Sequence, residues 1–171
     1  PYSASKAGSD HLARAWFSTY GLPVIITHCS NNYGLRQHRE KLIPTVIRHA
    51  LAGEPIPIYG SGRNVRDWLW VKDHCRGLYL AAQHDKLCEH YCFGGSNEQR
   101  NIDLARTICA MLDTLRPRED KRAYAEQITF VGDRKGHDWR YAINFDKARK
   151  DLGYNPKGCF NTQLADTVRY Y

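Results

Sequence analysis

Short apolar runs rich in β-branched residues alternate with segments of helical period along the whole chain, and that alternation leaves few folds open. Strand and helix in turn build an α/β protein on a parallel sheet, because a helix must carry the chain back across one face before the next parallel strand. Residues 3–20 place Leu12, Ala13, Trp16 and Tyr20 at helical spacing, and Gly21 suits the C-terminal stop. Residues 22–27 then read as a strand buried on both faces. Leu42, Ile43, Val46, Ile47, Ala50 and Leu51 form a second amphipathic helix ending at Gly53, followed by a strand over 56–59 and a Gly60-Ser61-Gly62 turn. Residues 65–71 read as another strand, with Asp73 as N-cap of a helix through 78–82. Asn101 is expected to cap a helix whose face carries Ile102, Ala105, Ile108, Cys109, Leu112 and Leu115. A strand near 128–131 and two short helices complete the pattern, one over 146–152 stopped by Gly153, the other carrying Leu164, Ala165, Val168 and Tyr171.

Charge and cysteines narrow the partners. Twenty-five Lys and Arg against eighteen Asp and Glu leave a formal charge of +7, which favours anionic ligands. The basic residues are scattered, so no nucleic acid is expected. No apolar run approaches the roughly 20 residues that span a bilayer, and no signal-peptide pattern opens the chain, so a cytoplasmic protein without a membrane partner is expected. Six cysteines fit a reducing compartment, most of them inside apolar patterns as small hydrophobes. His84, Cys88, His90 and Cys92 crowd together, but Cys-x3-Cys is not the usual zinc spacing, and Tyr91-Cys92-Phe93 alternates like a strand; no metal is expected. Met111 is the only methionine and Pro1 stands inside a helical pattern, so the sequence reads as the later part of a longer protein.

Tyr2 and Lys6 stand four apart at the start of the first helical segment, so both project from one face. A phenol titrates near about 10, and a neighbouring ammonium stabilises its phenolate. Such a pair serves proton transfer beside a redox centre. An ordinary exposed Tyr/Lys pair is the competing reading.

Pro1-Tyr2-Ser3-Ala4-Ser5-Lys6 followed by His28-Cys29-Ser30-Asn31-Asn32-Tyr33-Gly34 resembles the extended short-chain dehydrogenase/reductase superfamily. With Glu40-Lys41-Leu42-Ile43-Pro44, Pro57-Ile58-Tyr59-Gly60, Arg66-Asp67-Trp68-Leu69 and Asp133-Arg134-Lys135-Gly136-His137-Asp138, the chain looks like the later half of the dTDP-glucose 4,6-dehydratases, over essentially its full length. The resemblance implies the C-terminal part of a Rossmann-type parallel sheet, over 1–34 and 63–90, plus a smaller α/β nucleotide-sugar domain, over 35–62 and 91–171. It implies a lyase that converts dTDP-glucose to dTDP-4-keto-6-deoxyglucose and water with tightly bound NAD, a homodimer when full-length. Tyr2 would take the sugar 4-hydroxyl proton, Lys6 would hold the nicotinamide ribose and polarise Tyr2, and Asn32 would lie beside the nicotinamide. Asn31, Lys41, Leu42, Pro57, Ile58, Tyr59, Arg66, Asn101, Asp133, Arg134, Lys135, Gly136 and His137 would contact substrate, with Tyr59 at the base and Arg66 and His137 at the diphosphate.

Some positions depart from the family pattern. Leu35 and Arg39 replace usual prolines, which implies a more mobile or differently shaped loop before Lys41, while Lys135 replaces a proline and Trp139 a basic residue further on. The family's Gly-rich pyrophosphate turn and its Asp-Glu pair for water elimination are not in these residues. Three other readings stay open: a related epimerase or decarboxylase, a nucleotide-binding remnant without catalysis, and, for Asn101, Tyr59 and Arg66 individually, a cap, a half-buried strand residue and an ion-paired surface arginine.

Overall fold

The computed structural model describes residues 1–171. Helix α1 (Tyr2–Tyr20) ends at Gly21, whose left-handed backbone (φ 67°) lets its N–H reach the Phe17 carbonyl at 2.9 Å. Strands β1 (Ile26–Cys29) and β2 (Asn31–Tyr33) follow, then helix α2 (Leu42–Ala52), strand β3 (Ile56–Tyr59), strand β4 (Val65–Trp70) and helix α3 (Val71–Ala82). Strands β5 (His90–Phe93) and β6 (Glu98–Arg100), helix α4 (Asn101–Leu115), a 3-10 turn at Tyr124–Gln127, strands β7 (Ile128–Val131) and β8 (Arg140–Tyr141), and helices α5 (Asp146–Leu152) and α6 (Phe160–Tyr170) complete the chain.

The expected α/β class holds, with parallel pairing of β1 with β5, β2 with β4, and β3 with β7. Strand β4 joins two environments. Its first half, Val65 to Asp67, runs between antiparallel β6 and parallel β8, while Trp68 to Trp70 pair with β2. Arg66 is therefore held on both sides, opposite Gln99 and Tyr141. The larger core packs α2, α4 and α6 against β3 and β4, and draws Ile43, Val46, Ile47 and Ala50 from one face of α2. Each such large aliphatic side chain contributes roughly 1.5–3 kcal/mol on burial. A smaller core joins Leu69, Ala81, Tyr91 and Phe93 to Phe145, Ala148 and Tyr154. Gly95 permits the backbone crossing between them, since a Cβ there would fall 2.0 Å from the Trp68 carbonyl oxygen.

Four local expectations are corrected. The strand after α1 begins at Ile26 rather than Leu22, is only partly buried, and pairs with β5 alone. The Leu12, Trp16, Tyr20 stripe is exposed; the half-buried face of α1 carries Asp10, Ala13 and Phe17, with Asp10 Oδ2 2.9 Å from His28 Nε2 on β1. Asp73 does not cap α3, which starts at Val71 straight out of β4; its carboxylate instead accepts the Lys157 and Gly158 N–H groups, each at 3.3 Å. Asn101 likewise lies inside α4, capped by Arg100 in extended backbone. Cysteine burial is also rarer than expected: all six are free, only Cys109 is buried, and Cys29, Cys75 and Cys159 are exposed. No helix is long and apolar enough to cross a membrane.

Candidate functional site

Strand β4 delivers Arg66 into the interior without a salt bridge. The residue is 8% exposed; its Nη1 donates to the Val65 carbonyl at 2.7 Å and its Nη2 to the Asp138 carbonyl at 2.8 Å. Its guanidinium carbon lies 4.8 Å from the Tyr141 ring centre. Neighbouring Asp67 is fully committed elsewhere, accepting the Gly95 N–H at 2.9 Å and the Asn97 N–H at 2.7 Å. The surface ion-pair reading of Arg66 therefore fails. Burial holds the Arg66 pKa below its usual value, with Tyr141 and Asp138 opposing. A cation buried without a carboxylate in contact is costly unless an anion arrives, and its remaining N–H donors are free to meet one.

The loop after β7 supplies the second basic wall. His137 Nδ1 lies 2.6 Å from Asp133 Oδ1, and that bond, then the Arg134 N–H, holds the Asp133 carboxyl below the usual carboxylate range. Arg134 stacks over the Tyr59 ring with 5.1 Å to its centre, and His137 meets the same ring edge-on. Tyr59 projects here because strand alternation buries Ile56 and Ile58 in the core and leaves Pro57 half-buried and Tyr59 exposed.

These groups open on one cleft of about 1200 Å³. It brings together Tyr2, Asn31, Asn32, Lys41, Leu42, Pro57, Ile58, Tyr59, Arg66, Asn101, Arg134 and His137 from widely separated parts of the chain. Lys6, Asp133, Lys135 and Gly136 do not line it. Lys6 nevertheless acts on its wall: burial raises the Cys29 thiol pKa, and the Asn32 hydrogen bond and the Lys6 charge partly offset that rise. Asp133 acts through His137, while Lys135 and Gly136 are exposed in the loop.

At one end the Asn32 carboxamide is locked. Its Nδ2 donates to the Ser30 carbonyl at 3.0 Å, and its Oδ1 lies 2.8 Å from His74 Nδ1. The loop from Gly34 to Glu40, which lacks the expected prolines, is pinned instead by Gln37 Nε2 to the Asn32 carbonyl (2.7 Å), by Thr45 Oγ1 to the Arg39 carbonyl (3.2 Å) and by the Tyr171 hydroxyl to the Gln37 carbonyl (2.7 Å).

Buried polar atoms without partners concentrate here. Of eight such side-chain atoms, Ser30 Oγ, Gln37 Oε1, Trp68 Nε1 and Asn101 Oδ1 belong to cleft residues. Folded proteins pair nearly all buried polar groups, so these unmet donors and acceptors make the residues around the cleft a local exception. Ser30, Gln37, Arg48, Trp68 and the supporting His74 escape sequence reading. Only Arg48 leaves a trace there, since Lys41, Thr45 and Arg48 repeat at helical spacing as a polar stripe along the otherwise apolar α2. The His84, Cys88, His90, Cys92 cluster does not converge: His84 packs against Tyr91 and His90 against His28.

Comparison with known proteins gives this geometry a context. The family model described as GDP-mannose 4,6 dehydratase matches residues 1–167. A dTDP-glucose 4,6-dehydratase of Shigella flexneri is 54% identical over 171 residues, which is 100% of this chain and 47% of that protein. Among solved structures, a dTDP-glucose 4,6-dehydratase from Streptomyces venezuelae with NAD bound superimposes with a TM-score of 0.89 at 46% identity, covering 100% of this chain and 50% of that one. The corresponding enzyme from Bacillus anthracis, in complex with NAD, gives 0.87 at 43% identity, covering 100% and 51%. The chain spans about half the length of the relatives it matches.

Proposed function

This chain belongs to the GDP-mannose 4,6 dehydratase family, and on that premise we propose that it is the C-terminal half of an NAD-dependent dTDP-glucose 4,6-dehydratase. The full protein is then a lyase that converts dTDP-glucose to dTDP-4-keto-6-deoxyglucose and water. One observation carries the reading: a buried Arg66 that makes no salt bridge opens on the same cleft as the phenol of Tyr2, which is 73% exposed. That pairing suits a substrate with an anionic middle and a hydroxyl to be deprotonated.

Arg66 takes the diphosphate through its unspent N–H donors, and His137, whose Nδ1 is engaged by Asp133, adds its other nitrogen. The base lies against Pro57, Ile58 and Tyr59, with Arg134 already stacked on that ring. Lys41, Leu42 and Asn101 close the nucleotide wall with the loop over 133–136, and Asn31 bonds the hexose. The Lys6 ammonium stabilises the Tyr2 phenolate, which accepts the proton of the sugar 4-hydroxyl and becomes the phenol.

The residues present fit the cofactor that this chemistry needs. The Asn32 carboxamide, fixed by Ser30 and His74 in the wall of the cleft, is an uncharged polar group suited to a nicotinamide. NAD, when bound, supplies the acceptor for the hydride from C4. Lys6 and Tyr2 would hold its ribose, and Asn32 would stand at its nicotinamide.

The same reading assigns residues 1–34 and 63–90 to the cofactor domain and 35–62 and 91–171 to the nucleotide-sugar domain, in a cytoplasmic homodimer without nucleic-acid or membrane partners. Incubating the full-length protein with dTDP-glucose and NAD tests it. Proton NMR of the product should show a C6 methyl group and the loss of the C4 proton. A C4 epimer with its C6 hydroxymethyl intact makes the protein an epimerase instead.

A further inference from the structure

The Asn32 carboxamide has one orientation open to it. Its Nδ2 faces two acceptors, the Ser30 carbonyl at 3.0 Å and the Cys29 sulfur at 3.3 Å, so Oδ1 faces the imidazole of His74, 2.8 Å from Nδ1. An amide oxygen only accepts, which makes Nδ1 the protonated nitrogen of that ring. Cys29 and Ser30 are near neighbours of Asn32 in the chain, so the bond from His74 is the one that ties the carboxamide to a separate element.

The backbone places His74 without help from that bond. His74 lies in the first turn of α3, which leaves β4 directly at Val71, and β4 is paired with β2 from Asn31 opposite Trp68 to Tyr33 opposite Trp70. Its half-buried ring packs 6.0 Å, centre to centre, from Phe93 of the smaller core. Burial holds its pKa below the ordinary value, which favours the neutral ring with its single N–H. Asn32 lines the cleft and His74 does not, so whatever His74 does for a ligand it does through Asn32. Without it Oδ1 loses its donor, and the carboxamide turns to find another. We propose that His74 is a positioning residue for the cofactor, whose Nδ1–H holds the Asn32 carboxamide in the orientation it presents to the nicotinamide. The inference rests on the placing of Asn32 at the nicotinamide under the function proposed above, and adds what makes that side chain a fixed wall.

The test uses the full-length protein with NAD bound. ADP-ribose, which lacks the nicotinamide, is added in increasing amounts, and the NAD it displaces at equilibrium gives the ratio of the two affinities. His74→Leu should lower the preference for NAD over ADP-ribose roughly fivefold, the worth of one neutral hydrogen bond. His74→Asn sets an amide N–H where the Nδ1–H stood and should restore most of that preference. In an Asn32→Ala background, His74→Leu should lower it no further. His74→Met serves if the leucine variant fails to fold. The proposal is overturned if the ratio is unchanged in His74→Leu, which marks a residue that only supports the fold. It is overturned equally if His74→Asn loses as much as His74→Leu, or if the loss persists in full without Asn32. An Asn32→Ala protein that keeps the parent preference for NAD overturns the placing of Asn32 itself, and this inference with it.

Discussion

Arg66→Lys separates the fork of a guanidinium from its charge. In the present geometry Arg66 spends one N–H on the Val65 carbonyl and one on the Asp138 carbonyl, leaving its other donors for a diphosphate. Lysine keeps the positive charge but not the planar, bidentate arrangement, and its ammonium cannot stack on Tyr141 in the same way. Loss of one charge-assisted bond at about 1.5–3 kcal/mol weakens dTDP binding roughly ten- to hundredfold. Arg66→Met, which removes the charge as well, should lose at least as much. Thymidine provides the control, because it presents the same base without phosphates and should bind both variants as it binds the parent. Isothermal titration with dTDP and thymidine, on variants whose melting curves confirm folding, reads the difference. A dTDP constant changed by less than about threefold, or equal losses for thymidine and dTDP, would refute the diphosphate role of Arg66.

Three further outcomes follow from the structure. Tyr2→Phe in the full-length protein should leave dTDP-glucose binding intact and lower turnover roughly 10²–10⁴-fold, measured as product formation under saturating substrate. Asp67→Asn sets an amide N–H₂ against one of the two N–H groups that the buried carboxylate now accepts, at Gly95 and Asn97, and should destabilise the chain by about 2–3 kcal/mol in urea titrations. Burial, and next the charge of His28, hold the His90 pKa below its ordinary value, with Arg14 and Lys147 acting in the same direction and Asp10 against it. The folded chain therefore takes up that proton less readily than the unfolded one, so stability is complete above pH of about 6.5 and declines as the pH falls below it. His90→Gln should flatten that decline between neutral and mildly acidic pH, leaving a residual slope from His74, whose pKa burial also lowers.

What was legible in the sequence follows from where its pattern is local. Helix α2 and strand β3 are read correctly because Ile43, Val46, Ile47 and Ala50, then Ile56 and Ile58, are buried on one face of their own elements. The helix at 146–152 and its glycine stop are legible for the same reason. Helix α1 misleads, since its largest apolar side chains are exposed while Ala13 and Phe17 turn inward. Asp73 has the composition of a cap, but the distant backbone at Lys157 and Gly158 claims its carboxylate. Strands β6 and β8, of three and two residues, are too short to show a period, yet they are what hold Arg66 in place.

The cleft divides in the same way. Tyr2, the Asn pair, Lys41, Tyr59, Arg66 and His137 stand in recognisable segments. Ser30 and Trp68 stand in those segments too, and Gln37 outside them, but that each leaves a buried polar atom without a partner is a property that exists only once the chain has folded. That the carboxylate beside Arg66 is spent on Gly95 and Asn97 is likewise invisible in Arg66-Asp67, where the adjacent charges suggest a pair.

A crystal structure of the protein with dTDP tests the central claim most directly. The account predicts thymine against Tyr59 and Pro57, with diphosphate oxygens within hydrogen-bond distance of the Arg66 guanidinium and His137. Nucleotide bound elsewhere, with Arg66 still bonded only to the Val65 and Asp138 carbonyls, would contradict it.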